Sequence, residues 1–410
     1  MTNTNSPTTF FGLGIAPKVL EVLTRMKFLV PTPIQHKAIP VAVEGKDIMG
    51  IAQTGTGKTL AFAIPMVQRL AQGTNSGLVV VPTRELAIQV EETIEKVAHP
   101  FGIKTAVLIG GASMEEQIRA IKRGARILIC TPGRLIDHMQ RGTVRLNTVH
   151  VLVLDEADRM FDMGFAPQIE QILQQVPKDR QTMLFSATMP RDIMAMASRH
   201  MQLPMNIEVA PQGTAAERVV QEIFVVRREM KNVLLEKLLS QYRGSVLLFS
   251  RTKHNARKLV VEIKRMGHSA AEIHSDRSLA QRRQALEGFK VGRYRVLVAT
   301  DIAARGIDVK GIELVINYDL PDDAENYVHR IGRTGRAGME GRAISIATPD
   351  QADQIQDIER AMRSEITLAK HPDVETQTLY RAPAAKSGAR RPTGGRSFRG
   401  KSFGHGRRRF

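Results

Sequence analysis

Short apolar runs that end in a polar cluster recur along nearly the whole chain, and this pattern limits the fold more than any other feature. Leu78–Val81 runs into Pro82-Thr83-Arg84-Glu85, and Val107–Ile109 into Gly110-Gly111. Ile127–Cys130 runs into Thr131-Pro132-Gly133-Arg134, Val149–Leu154 into Asp155-Glu156, and Met183–Phe185 into Ser186-Ala187-Thr188. Helical stretches separate the runs, and strands that alternate with helices predict parallel α/β sheets. Ligands of open parallel sheets bind outside the carboxyl ends of the strands, so these clusters are expected on one face. The apolar pattern breaks around Ala210-Pro211-Gln212-Gly213-Thr214, and a second series follows at Val246–Phe249, Val296–Ala299, Leu314–Asn317 and Ala343–Ala347. The expected division is a first domain over residues 1–207, a linker over 208–217, a second domain over 218–369 and a tail over 370–410.

One junction in the first series carries its own chemistry. Asp47–Ala52 reads as a buried strand and Leu60–Val67 as a helix that bends at Pro65. Between them stands Ala52-Gln53-Thr54-Gly55-Thr56-Gly57-Lys58-Thr59. Gly55 and Gly57 permit backbone angles that side chains resist, so N–H groups at a helix start can point at phosphate. Lys58 would reach the β and γ phosphates, and the Thr59 hydroxyl would ligate Mg²⁺. The strict pattern begins with Gly, where this chain has Ala52. Adjacent carboxylates at the end of a parallel strand suit the partner role: Asp155 for the metal, through water, and Glu156 for the attacking water as general base. Loop and acids together imply a chain that consumes nucleoside triphosphate.

Net charge points to a polyanion as the other ligand. The chain carries +18, of which residues 381–410 hold ten Lys/Arg and no acid, leaving +8 elsewhere. The Gly/Arg/Ser-rich tail has too little apolar content to fold and is expected to be disordered. The single cysteine, Cys130, excludes an internal disulfide and a cysteine-based zinc site, and reads as a small core hydrophobe. No apolar run is long enough to span a membrane, and Met1–Thr9 is polar and uncharged, unlike a signal peptide. A cytoplasmic protein is expected.

The motifs in this order resemble the DEAD-box family of ATP-dependent RNA helicases, from about Phe10 to Ala369; Asp155-Glu156-Ala157-Asp158 supplies the family name. The resemblance implies an α/β fold of two tandem RecA-like parallel-sheet domains joined by a short linker, with ATP and Mg²⁺ as cofactors and RNA as partner. By it, Gln35 reads adenine, with Phe10 and Phe28 nearby, and Asp308 approaches the ribose. Ala52, Gln53, Thr54, Gly55, Thr56, Gly57, Lys58 and Thr59 form the nucleotide loop. Arg333 and Arg336, in His329-Arg330-Ile331-Gly332-Arg333-Thr334-Gly335-Arg336, act as arginine fingers, each such group typically worth ~10³–10⁵ in rate. Ser186, Ala187, Thr188 and His329 couple hydrolysis to strand separation. RNA contacts fall at Pro82, Thr83, Arg84, Gly110, Gly111, Thr131, Pro132, Gly133 and Arg134, and at Arg251, Arg282 and Thr300. No aromatics are interleaved among them, so backbone binding without strong sequence preference is expected.

Three positions depart from the family pattern. Lys27 stands for Gly before Phe28, Leu279 for Gln three residues before Arg282, and Ser275 for Gly. The tail, with Phe398 and Phe403 among its cations, suits an auxiliary RNA contact and is similar to the bacterial RhlE-like group. The activity implied is RNA-dependent ATP hydrolysis with local separation of short RNA duplexes. Two alternatives stand beside it: an ATP-gated RNA clamp with little turnover, and a DNA translocase.

Overall fold

The computed structural model describes residues 9–53, 55–209, 219–301, 309, 311–335, 341–362 and 364–380. They form two seven-stranded sheets, parallel at every strand pair. The first holds β1 (Ile48–Ile51), β2 (Ser76–Val80), β3 (Lys104–Leu108), β4 (Ala125–Cys130), β5 (Val149–Asp155), β6 (Gln181–Ser186) and β7 (Met205–Glu208), in the order β3-β4-β2-β5-β6-β1-β7. The second holds β8 (Val219–Val225), β9 (Val246–Phe249), β10 (Ala270–Ile273), β11 (Val296–Ala299), β12 (Leu314–Asn317), β13 (Gly341–Ala347) and β14 (Thr367–Ala369), in the order β10-β11-β9-β12-β13-β8-β14. The two orders coincide strand for strand, so each domain repeats one RecA-like plan.

Helices cover both faces of each sheet, and the strands are continuously apolar for that reason. Successive side chains of a strand point to opposite faces. Val79, Ile127, Ile129, Val151 and Val153 therefore join one core layer, while Leu78, Val80, Leu128, Leu152 and Leu154 join the other. Cys130 is fully buried in the second layer, and burial pushes its thiol well above the usual range, as a core hydrophobe requires. Among the described residues, no helix is long and apolar enough to cross a membrane.

Two features at the domain margins differ from the sequence reading. Glu208, the first residue assigned to the linker, ends β7, and residues 210–218 lie outside the described set. Residues 370–380, assigned to the disordered tail, are held on the second domain. Gln377 N–H donates to Val225 O at 2.8 Å, Tyr380 N–H donates to Pro349 O at 2.8 Å, and Val374 is buried in the core. Their backbone bonds carry no side-chain periodicity, so the sequence does not mark them. The basic tail from 381 onward lies outside the described residues.

The Lys27 departure leaves the turn unchanged. The helix Pro17–Arg25 ends with Lys27 in the left-handed region at φ 61°, and Phe28 N–H reaches back to Leu23 O at 2.9 Å. That is the helix stop a glycine would make without steric cost.

Candidate nucleotide and nucleic-acid site

The phosphate loop sits where β1 meets the helix Lys58–Leu70. Gly55 and Gly57 adopt φ 83° and 88°, so both use the conformational freedom the sequence suggested. Gly57 is constrained a second way: a Cβ there would lie 2.4 Å from Gln35 Nε2. Gln35 is 3% exposed, donates from Nε2 to Gly57 O at 2.9 Å and accepts at Oε1 from Thr32 N–H at 2.9 Å. The helix Pro33–Val43 is thereby tied to the loop, and one amide proton and one lone pair of Gln35 are left for a ligand. Lys58, buried at the helix start, donates to Ala52 O at 2.9 Å, and Thr56 Oγ1 donates to Gln53 O at 2.7 Å. Thr59 follows Lys58 in the first helical turn, and Thr54 lies outside the described residues. Phe10 is 3% exposed within the core beside this region, whereas Phe28 is 41% exposed.

Three carboxylates face the loop from the end of β5, each in a different electrostatic state. Burial pushes Asp155 up to about 6 although Lys58 pulls it down, and the Glu156 charge adds to the rise. A divalent cation on this carboxylate would remove that cost, and Mg²⁺ needs only one or two protein carboxylates when substrate phosphates complete its shell. Burial also opposes ionisation of Glu156, but Arg159, Lys58 and Arg333 outweigh it and hold the carboxyl below its usual range. Glu156 is one of three non-glycine residues with left-handed backbone among the described residues, at φ 53°, and forms a buried ion pair with Arg159. Strained backbone of this kind costs about 1–3 kcal/mol and persists where surrounding structure fixes it.

Asp158 is the residue sequence reasoning left without a role. Its Oδ2 accepts from Ala187 N–H at 3.0 Å, Thr188 N–H at 2.8 Å and Thr188 Oγ1 at 3.2 Å, while Ser186 Oγ accepts from Asp158 N–H at 3.1 Å. Burial raises its carboxyl, but the Thr188 bond and the Lys58 charge dominate and hold it low. The ends of β5 and β6 are thus locked together through one carboxylate. Its position in the quoted motif was visible; its partners, thirty residues on, were not.

The second domain completes the cavity. Lys58, Glu156, Asp158 and Ala187 from the first domain line it together with His329 and Arg333 from the second. Arg333 is 4% exposed, and its Nε donates to His329 O at 3.3 Å. Arg330, which the sequence reading did not single out, holds this segment in place. It donates from Nε to Asp301 Oδ1 at 2.5 Å and from Nη2 to Asp301 Oδ2 at 2.7 Å, and lies over the Phe249 ring. Arg336 and Asp308 lie outside the described residues.

The expected RNA contacts of the first domain do meet on one face. Arg84 lies against the Gly110-Gly111 turn, so close that a Cβ on Gly111 would meet its Nη1 at 2.4 Å. Thr131 N–H donates to Leu108 O at 3.1 Å, and Arg134 Nη1 donates to Ala112 O at 3.4 Å. Pro82, Thr83 and Pro132 are buried, and Thr83 Oγ1 caps the helix Arg84–Ala98 at Leu86 N–H. In the second domain Arg251 is exposed beside Asp322, and Thr300 follows β11. Arg282 departs from expectation. Its guanidinium is buried against Glu85 Oε2 at 2.8 Å, across the two domains, and Leu279 packs on the first domain's core.

A phosphate loop, an acid pair and an arginine from a second RecA-like domain around one cavity define a two-domain nucleoside triphosphatase of the helicase type. The DEAD/DEAH box helicase model matches residues 32–196, and the Helicase conserved C-terminal domain model matches residues 230–338. The DEAD-box ATP-dependent RNA helicase CshA of Geobacillus kaustophilus is 44% identical over 371 residues, covering 90% of this chain and 79% of that protein. The ATP-dependent rRNA helicase RRP3 of Scheffersomyces stipitis is 41% identical, covering 89% and 76%. S. cerevisiae Dbp5 bound to RNA and ADP BeF3 superposes with a TM-score of 0.79 at 30% identity, over 89% of this chain and 96% of that one. Mss116p bound to ssRNA and AMP-PNP superposes with a TM-score of 0.80 at 27% identity, over 93% and 81%. The chain belongs to the DEAD-box family of ATP-dependent RNA helicases and is an ATP-hydrolysing enzyme.

Proposed function

We propose that this chain is an RNA-activated ATP switch that opens short RNA duplexes in the cytoplasm. One observation carries the reading: Arg333 and His329 of the second domain share a single cavity with Lys58, Glu156 and Asp158 of the first. Turnover therefore depends on the two domains meeting, and an RNA strand lying across both would hold them together. In this reading Gln35 offers its spare donor and acceptor to adenine, and Gly55–Thr59 cradle the phosphates. Asp155 and Thr59 hold Mg²⁺, which when bound neutralises charge on the phosphoryl oxygens. Glu156, kept ionised by its cationic neighbours, takes the proton of the attacking water. Arg333 meets the charge that develops on the γ phosphate.

Arg84, Gly110, Gly111, Gly133 and Arg134 support the RNA phosphates in the first domain, and Arg251 and Thr300 in the second. Pro82, Thr83 and Pro132 shape that surface from beneath. Asp158, through Ser186–Thr188, carries the state of the nucleotide site toward it, with His329 on the other side. In this scheme the first domain runs to Glu208, one residue past the expected 1–207, and the second, expected over 218–369, draws on residues up to 380. The RhlE-like grouping rests on the basic tail alone.

Steady-state ATP hydrolysis with single-stranded RNA, with DNA of equal length and with Glu156→Gln tests the reading. Stimulation by RNA, absent with DNA and lost in the variant, is expected. Equal stimulation by DNA would favour a general translocase, and tight ATP-dependent RNA binding without turnover would favour a clamp.

A further inference from the structure

The second domain repeats the strand order of the first, so it has its own counterpart of the phosphate-loop corner. In the first domain the last pairing there is Ile51 with Ser186, and in the second it is Val225 with Ala347. Lys58 opens the helix after β1, and Lys231 opens the helix after β8. Each lysine is 6% exposed and donates to a carbonyl of its own domain: Lys58 to Ala52 O at 2.9 Å, Lys231 to Tyr318 O at 2.8 Å. Asp319, beyond β12, stands where the acids stand beyond β5. It is held by Ser250 Oγ at 3.3 Å, Arg251 N–H at 3.1 Å and Asn255 Nδ2 at 3.2 Å, and lies 3.4 Å from Lys231 Nζ.

The corner has lost the glycine loop. Arg227 and a turn of 3₁₀ helix, Arg228–Met230, occupy its place, so there is no backbone cradle for a triphosphate. What it has instead is an open cavity of about 790 Å³ rimmed by cationic side chains. Arg227, Arg228, Arg251 and Lys258 line it around the buried Lys231, with His254 beside them. The acids on the same wall are Glu229, Asp319 and Asp350. Asp319 is engaged by Lys231, and Arg251 is paired with Asp322 at 3.1 Å. Arg228 and Lys258 are exposed and form no ion pair among the described residues, although Asp350 on the same wall feels the Arg228 charge. The cations also feel one another. Burial lowers Lys231, Asp319 opposes this, and Arg228 and Arg251 push it further down. An anion in the cavity would relieve that repulsion.

We propose that this cavity is a second phosphate-binding site, and that it takes a backbone phosphate of the RNA strand as it runs on past Arg251. The cavity shares Arg251 with the RNA face, so a strand leaving that face meets Arg228 and Lys258 next. The RNA source rests on reading Arg251 as an RNA contact. The same phosphate chemistry could be offered by a free nucleotide, and the test separates the two.

The full chain and the double variant Arg228→Glu/Lys258→Glu are compared by fluorescence anisotropy with a short single-stranded RNA that fills only the core contacts and with a longer one. Thermal melting verifies that the variant is folded. The longer RNA is expected to bind roughly tenfold more weakly to the variant, with its salt slope flatter by ~1.4 for two lost phosphate contacts, while the short RNA binds both alike. Stoichiometric titration with a fluorescent ADP analogue forms the second arm. Two nucleotides per wild-type chain and one per variant, with unchanged RNA affinities, would keep the phosphate site but overturn its RNA source. Unchanged affinity and slope for the longer RNA, with one nucleotide per chain in both proteins, would overturn the site altogether. Stimulation of wild-type ATP hydrolysis by the short RNA checks the core reading separately.

Discussion

Single residues at the nucleotide site combine a chemical role with a steric one. Glu156 is the best case, since its carboxylate faces the cavity while its backbone sits at φ 53°. Glu156→Gln keeps the shape and removes the base, so turnover should fall ~10²–10⁴-fold with ATP binding retained, read by hydrolysis rates against nucleotide titration. Gly57→Ala should weaken ATP binding roughly tenfold, because the new Cβ displaces the Gln35 amide and the left-handed backbone costs ~1–2 kcal/mol. Lys27→Gly should raise stability by about 0.5–1 kcal/mol in urea unfolding, as glycine relieves the φ 61° strain. The loop, its lysine and the acid pair were legible in the sequence because glycines and charges at fixed offsets announce them. The contact between Gln35 and Gly57 was not legible, since it depends on how the helix Pro33–Val43 packs, and nothing in a glutamate marks it for positive φ.

Elements position these residues through buried polar ties. His138, fully buried on the helix Pro132–Gln140, meets Thr143 Oγ1 at 2.8 Å and Gln117 Oε1 at 3.1 Å, and Gln117 Nε2 donates to Ile109 O at 3.0 Å. The Gln117 orientation makes Nε2 the proton-bearing nitrogen. The tie joins the helix that begins at the Thr131–Arg134 cluster to the strand end before Gly110. Burial, helped by Arg134, lowers His138 below its ordinary value of 6.5, so the unfolded chain binds the proton more readily. The contribution of His138 to stability is fully present above 6.5 and is lost as pH falls through the lower folded value. The urea midpoint of the wild type should therefore drop more between neutral and mildly acid pH than that of His138→Gln, narrowing the gap between them. Strand placement and the face of polar clusters were readable from apolar runs and their ends. The polar ties between elements, like the docking of 370–380, leave no periodic trace.

At the scale of the whole molecule, function rests on two copies of one plan meeting across a cleft. One buried crossing contact is imperfect. Arg282 pairs with Glu85, yet Arg282 Nε and Glu85 Oε1 have no hydrogen-bond partner among the described residues. A half-satisfied buried pair contributes little net stability, which suits a closed state that ligands must favour. Arg282→Glu places two carboxylates together and should cost ~3–5 kcal/mol in the closed state alone, suppressing RNA-stimulated hydrolysis. The double variant with Glu85→Arg should restore much of it; no restoration would return Arg282 to a direct RNA role. The sequence motifs named the parts of both domains, but contacts between domains depend on their relative placement, and Leu279 and Glu85 could not be matched from one chain read in order. The most direct test of the account is the distance between a dye on each domain, read by energy transfer under four conditions: no ligand, ATP analogue, RNA, and both. A short distance reached only with both ligands, and lost in Arg333→Ala, is predicted. A distance unchanged across all four conditions would contradict it.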